Sequence, residues 1–203
     1  MGSEFEACGD GRDDEERDVL FGIINRYLGF HTLEAQRATI NDTSLEYPFV
    51  PMDTRQVFAQ IGFVHDYLRR RAGVEAAPAF LDIGCGTGNI LVIAEQFGFE
   101  VYGFEKDDHP VQVARRFIGA ERVTQEDIWR FADYDRFDVV YYFCPFSDGA
   151  TQQRFEVMVE ARMRPGAILI ANQKRSSAIA DNQAFRRLHP QLPIWEKIDP
   201  ARP

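Results

Sequence analysis

Residues 80–90, Phe-Leu-Asp-Ile-Gly-Cys-Gly-Thr-Gly-Asn-Ile, restrict this chain more than any other stretch. An apolar run closes on an acid and passes into three glycines at alternate positions, Gly84, Gly86 and Gly88. Glycine lets a chain leave a buried strand, turn sharply and bring its backbone N–H groups close to a ligand. The stretch therefore reads as strand, turn and helix start, built to hold a nucleoside-type cofactor. Its spacing narrows the choice. A dinucleotide loop has the form G-x-G-x-x-G, which would put the third glycine at position 89, where this chain has Asn89. Asp82, two residues before the first glycine, carries the wrong charge for a pyrophosphate at a helix N-terminus and the right charge for a cationic amino-acid moiety.

The pattern around the loop sets the fold class. Apolar runs at 79–83, 100–104, 121–124, 137–143 and 167–172 alternate with helical patterns near 88–98, 109–118 and 150–164. Such alternation predicts an α/β fold, a Rossmann-like, mostly parallel sheet flanked by helices, with ligands at the C-terminal ends of the strands. Upstream, Val19, Leu20, Ile23, Ile24, Tyr27 and Leu28 recur at helical spacing over 19–30, with Gly29 as the expected stop. Asp53 or Thr54 can cap a second helix running to about residue 72, its basic end Arg69-Arg70-Arg71 read as solvated. The expected organisation is a flexible acidic tail at 1–18, a helical extension or lid at 19–75 and a cofactor-binding domain at 76–203. Beyond Asn172 only a helix near 178–188 and one strand near 194–198 are expected. That would shorten the C-terminal sheet edge and leave it open to pairing in a homodimer.

Composition excludes several classes. With 203 residues, 45% of them hydrophobic, one main domain has material for a core. A net charge of −9 argues against non-specific binding to nucleic acid or to an anionic membrane. No apolar run approaches the roughly 18 residues needed to span a bilayer. Cys8, Cys85 and Cys144 are widely spaced and odd in number, which favours a reducing, cytoplasmic setting. His31, His65, His109 and His189 are scattered, without H-E-x-x-H or a cysteine cluster, so no metal site is expected.

Two later strand ends supply further candidates. Glu105 ends the second apolar run 21 residues after Gly84, where a carboxylate can accept hydrogen bonds from both ribose hydroxyls. Lys106 follows it and flanks the nucleoside. After the fourth run come Cys144-Pro145-Phe146-Ser147-Asp148.

The run Leu81-Asp82-Ile83-Gly84-Cys85-Gly86-Thr87-Gly88 resembles the first motif of the class I S-adenosylmethionine-dependent methyltransferases. That resemblance implies S-adenosyl-L-methionine as cofactor, held by Asp82, Gly84, Cys85, Gly86, Gly88, Asn89, Glu105 and Lys106. It also implies that Asp127, or the adjacent Glu126 in its place, accepts the adenine amino group, with Ile128 against the ring and Phe143 nearby. Trp129 either covers the adenine or packs in a core. In the family the segment after the fourth strand faces the methyl group. Phe143-Cys144-Pro145-Phe146 keeps one proline and the aromatic but lacks the leading amide or carboxylate of base-methylating members. Tyr142, Phe143 and Phe146 are the candidate catalytic residues, as walls that desolvate an amine, with Asp148 or Tyr142 guiding a proton away.

A second, weaker resemblance, to the small Dot1-related protein-lysine methyltransferases, rests on Tyr47-Pro48-Phe49-Val50-Pro51, on Tyr141 through Phe146 and on Met163-Arg164-Pro165-Gly166-Ala167. It implies that residues 48–54 close over the methionine end and that the acceptor is a protein or peptide amine. A small-molecule acceptor and a non-catalytic cofactor-binding subunit are the alternatives.

Overall fold

A computed structural model describes residues 11–39, 42, 44–47, 50–71 and 77–198. Cys8, most of the expected acidic tail, Pro48 and Phe49 lie outside these. The elements run α1 (Gly11–Ala38), α2 (Thr54–Arg70), β1 (Ala79–Ile83), α3 (Asn89–Gln96), β2 (Glu100–Glu105), α4 (Asp108–Ile118), β3 (Val123–Gln125), β4 (Val139–Phe143), α5 (Gly149–Arg162), β5 (Ile168–Asn172), β6 (Phe185–Arg187) and β7 (Ile194–Lys197). The seven strands lie in the order β3-β2-β1-β4-β5-β7-β6. The first five are parallel, whereas β7 runs antiparallel to both β5 and β6.

Each face of the sheet buries its own core. Phe80, Val139, Tyr141, Ile168 and Ile170 face one side, where α1 to α4 contribute Ile24, Leu28, Val57, Ile61, Val64, Leu91 and Val111. Leu81, Ile83, Val140, Tyr142, Leu169 and Ala171 face the other, against Phe155, Val159 and Met163 of the α5 region. The split follows the period-two alternation of a strand buried on both faces. Sequence order reverses between β1 and β4, which neighbour one another in the middle of the sheet. A crevice at their C-terminal ends is the consequence.

Three expectations need correction. Helix α1 starts at Gly11, inside the expected tail, and continues through Gly29 to Ala38. A glycine in a helix costs about 1 kcal/mol, and burial of Ala35 against the domain beyond it offsets that cost. The inward face is also turned from the one expected: Phe21, Ile24 and Leu28 are buried, while Val19 and Ile23 are exposed. Second, the expected helix at 178–188 is a short 3-10 turn, Ala178–Ala180, followed by β6. Pairing with β7 and burial of Phe185 beside Trp195 override local helix preference there. The sheet edge is therefore not shortened at β5, which pairs with β7. Third, Arg71 is not a solvated helix end. Its guanidinium pairs with the buried Glu196 at 2.7 Å and donates to the Gly166 carbonyl.

Gly103 of β2 is set by close approach. A β-carbon there would lie 2.8 Å from Cys85 Cβ, 2.8 Å from Leu91 Cδ1 and 2.9 Å from Cys85 Sγ. Gly103→Ala should therefore push the glycine loop away from β2 and cost about 1–3 kcal/mol. A fall of several degrees in the thermal midpoint, followed by circular dichroism, is the expected readout.

Candidate active site

The glycine loop has the conformation its spacing predicts. Gly84, Gly86 and Gly88 have φ of +69°, +52° and +83°, the left-handed region that strains other residues. The N–H groups of Gly84 and Cys85 both donate to the Phe104 carbonyl, and that of Gly86 donates to Glu105 Oε2 at 3.1 Å. The loop is thus stitched to the end of β2. From the other side, the Tyr27 hydroxyl of α1 donates to the Thr87 carbonyl at 2.6 Å. Burial pushes that phenol up to about 12, so it remains a donor at any physiological pH.

A cavity of about 450 Å³ opens at the C-terminal ends of β1, β2 and β4. Of the residues named from the sequence, Asp82, Gly84, Cys85, Asn89, Glu105, Lys106, Asp127, Ile128, Phe143 and Phe146 line it. Gly86 and Gly88 shape the loop without being part of the lining. Tyr142 is a correction: it faces the opposite core, edge-on to Phe155 at 5.0 Å, and its phenol is pushed well up by burial and by Glu156 and Glu160. Neighbouring residues on a strand point to opposite faces, so Phe143 and Tyr142 cannot share a wall. Tyr141, two residues from Phe143, lines the cavity instead and donates to Met52 Sδ at 2.9 Å. Asp148 caps α5, accepting from the Thr151 N–H, and is not part of the lining.

Glu46 and Arg175 line the cavity and escaped the sequence reading, whereas Tyr47, Cys144 and Trp129, also in the lining, were named there. Glu46 and Tyr47 form a roof: Glu46 bridges antiparallel to Phe146, the Tyr47 N–H donates to the Pro145 carbonyl, and the Ser147 N–H donates to the Leu45 carbonyl. Lys106 Nζ reaches Glu46 at 2.9 Å, and Arg175 donates to the Tyr47 hydroxyl at 3.1 Å. Trp129 stacks on Phe146, with ring centroids 5.4 Å apart. Cys144 and Gln173, at the ends of β4 and β5, have φ of +30° and +55°. Such strain in non-glycine residues collects at functional sites. Lys174, which also lines the cavity, is held between Glu156 at 2.9 Å and Glu160 at 2.7 Å, and Asn172 is buried against Gln60. Neither is the solvated strand-end residue expected. Only period-two counting from Phe143 could have pointed to Tyr141; the second resemblance pointed to the segment from Tyr47, whose Val50 and Met52 line the cavity, but the bridge of Glu46 to Phe146 had no local signal.

The polar atoms of the cavity divide by chemistry. Burial, with Glu105 adding to it, pushes the Asp82 carboxyl well above the usual range, and its Oδ2 has no hydrogen-bond partner. Asn89 Nδ2, at the start of α3, is a buried donor that also has none. Burial raises Glu105 too, against the N–H groups of Asp107, Lys106 and Gly86 that stabilise its charge. An unpartnered acid and an unpartnered amide donor lining one cavity suit the ammonium and carboxylate of an amino acid, and Glu105 suits a ribose diol. Among the described residues no helix is long and apolar enough to cross a membrane.

A Rossmann-like sheet ending in this cavity defines a class I cofactor-binding fold. Residues 75–197 match the family model described as a methyltransferase domain, and the chain belongs to that family of S-adenosylmethionine-dependent enzymes. A protein of Geobacillus sp. (strain WCH70) named as a methyltransferase is 27% identical over 128 residues, which are 59% of this chain and 49% of that protein. The chain thus spans about half the length of this curated relative. Among solved structures, an RNA methyltransferase from Salinibacter ruber in complex with S-adenosyl-L-homocysteine has a TM-score of 0.51 at 19% identity, covering 74% of this chain and 95% of that one. It is similar in fold. An amino pentose methyltransferase from Micromonospora echinaspora with bound S-adenosylmethionine is 26% identical, with a TM-score of 0.45 over 57% of this chain and 50% of that one.

The unpartnered acid gives the ligand-free protein a definite pH dependence. Because folding raises the Asp82 pKa, the native state binds more protons than the unfolded state between the ordinary aspartate value near 4 and the raised one. Stability contributed by this group therefore falls as pH rises through that window. Urea unfolding should find Asp82→Asn more stable than the parent at pH 8 and about equal to it at pH 4. Tyr27→Phe removes one half-buried hydrogen bond, worth about 0.5–1.5 kcal/mol. It should weaken cofactor binding severalfold in calorimetry and leave the circular dichroism spectrum unchanged.

Proposed function

We propose that this chain binds S-adenosyl-L-methionine in the cavity above β1, β2 and β4 and methylates an amine that enters beside Phe143 and Phe146. The observation that carries this reading is the pair of buried, unpartnered groups, Asp82 Oδ2 and Asn89 Nδ2, at the glycine-loop end of a cavity that Glu105 and Asp127 also line.

Asp82 receives the ammonium of the methionine moiety, whose charge returns the carboxyl to its ionised form. Asn89 and the N-terminus of α3 receive its carboxylate. Glu105 holds the ribose hydroxyls. Asp127 already accepts from the Trp129 N–H through Oδ1, at 2.8 Å, and its Oδ2, 4.0 Å from Lys106 Nζ, is the oxygen that meets the adenine amine. Ile128 packs beside the base. Bound there, S-adenosyl-L-methionine supplies a sulfonium methyl already activated for in-line displacement, so alignment and water exclusion are the main demands on the protein. Met52, held by Tyr141, and the Glu46–Tyr47 roof, tied to Lys106, exclude water from the bound cofactor.

Acceptor chemistry follows from the wall that remains. Phe143, Phe146 and Trp129 attract an ammonium by cation–π contact and then favour its neutral, nucleophilic form by desolvation. Lys174 is neutralised by its two glutamates, and Asp148 and Tyr142 stand outside the cavity, so the amine loses its proton toward solvent before transfer. About 450 Å³ lies low in the range of ~300–1,000 Å³ for ligand cavities. Beside a nucleoside cofactor that leaves room for one amine-bearing group, a side chain of a protein or peptide or a small molecule.

Calorimetry tests the cofactor. S-adenosylmethionine and S-adenosylhomocysteine should bind, and Glu105→Ala, which removes charge-assisted bonds worth about 1.5–3 kcal/mol, should weaken binding about 10- to 100-fold. Tight NAD binding without response to S-adenosylhomocysteine would overturn the assignment. Incubation with methyl-labelled cofactor and cell extract, followed by size fractionation, tests the acceptor. Label on nitrogen supports the reading, and the fraction carrying it separates protein from small-molecule acceptors. Label on oxygen or carbon alone refutes it.

A further inference from the structure

We propose that His31, Glu34 and His109 form a site for a divalent transition-metal ion, zinc by the chemistry of its donors, which locks α1 to the first turn of α4. The three residues are separated in sequence but meet in space. His31 and Glu34 are three apart on α1 and so share a face of that helix. His109 is the second residue of α4. Their ligand atoms all lie within 4.8 Å of one another, around Glu34 Oε2, which is 3.6 Å from His31 Nδ1 and 3.9 Å from His109 Nε2.

These separations decide between two readings. A carboxylate bridging two histidines by hydrogen bonds would sit at about 2.7–3.2 Å from each nitrogen, and 3.6 Å is too long for such a bond. Both facing nitrogens are out of contact with water and make no hydrogen bond to any described residue. Two shielded imidazole nitrogens and a carboxylate oxygen converging on one point suit a Lewis acid better. A tetrahedral zinc ion with ligands at about 2.0–2.2 Å holds them roughly 3.3 Å apart. Exposed Glu34 is free to swing inward by the required amount, since its side chain is 62% accessible. Two imidazoles and one carboxylate favour zinc, copper or nickel over calcium and magnesium, which take oxygen donors. Three protein ligands leave the fourth position to water.

The site would act on the cofactor cavity through its supports. The His31 ring packs edge-on against Tyr27, centroids 5.0 Å apart, and the Tyr27 hydroxyl holds the glycine loop at Thr87. Beyond the end of α1, Thr39 Oγ1 donates to Asp107 Oδ2 at 2.5 Å, and Asp107 lines the cavity. A metal fastening α1 to α4 therefore stiffens two braces of the cofactor site without entering it.

The test uses the whole chain after chelator treatment and dialysis. Titration with Zn²⁺ should show one equivalent bound at micromolar concentration and raise the thermal midpoint by several degrees, while Mg²⁺ and Ca²⁺ should do neither. Co²⁺ should give the visible d–d absorbance of a histidine-ligated, low-coordinate site. Glu34→Gln, at an exposed position, should preserve the fold by circular dichroism and abolish both effects. His109→Gln should abolish them as well. Failure of the parent protein to take up Zn²⁺, or retention of uptake and stabilisation in both variants, would overturn the proposal. S-adenosylhomocysteine affinity measured with and without Zn²⁺ should be higher with the metal and unchanged by it in Glu34→Gln.

Discussion

The buried carboxyl of Asp82 is the group on which this site turns. It sits in the register of β1 between Gly103 of β2 and Tyr141 of β4, at 2% exposure, with one oxygen unpartnered. An acid in that position costs the ligand-free fold stability, because charge is disfavoured there and a lone polar atom forfeits its hydrogen bonds with water. The cost is tolerated because the surrounding sheet is rigid: β1 is paired along both edges and buried on both faces. In the proposed reading, an ammonium ligand supplies what the site lacks. Binding energy and folding strain are thus two readings of the same atom.

Around that acid, the supports come from distant parts of the chain. Gly103 allows Cys85 and Leu91 to close on β2, and β2 in turn holds the loop through the Phe104 carbonyl and Glu105. Tyr27 holds it from α1. The roof at Ser44–Tyr47 is zipped to Pro145–Ser147 and tied at its two sides by Lys106 and Arg175. Helix α1 and the segment after it therefore belong to the site as well as to the fold, since they touch the loop and the cavity directly.

Legibility in the sequence followed the range of the physics. Strands β1, β2, β4 and β5, helices α2 to α5 and the glycine loop were readable because strand and helix periods, an N-cap aspartate and left-handed glycines are local signals. The error at 178–188 arose where a non-local pairing with β7 outweighed local preference. Tyr142 was misread as a wall because the parity of a strand buried on both faces is invisible in a run of apolar residues. Roof contacts and the meeting of His31 with His109 depend on chain segments far apart in sequence, for which no spacing rule exists.

What the sequence determined by itself was the fold class, the loop and the chemical type of its ligand: glycine spacing, an acid before the turn and an acid after the second strand are properties of short segments. Tertiary structure alone decided which face of β4 meets the cavity, that Asp82 and Asn89 lack partners, and that α1 braces Thr87. The reason is physical. Burial and hydrogen-bond satisfaction are properties of a position in the packed chain, and a side chain acquires them only when segments distant in sequence close around it.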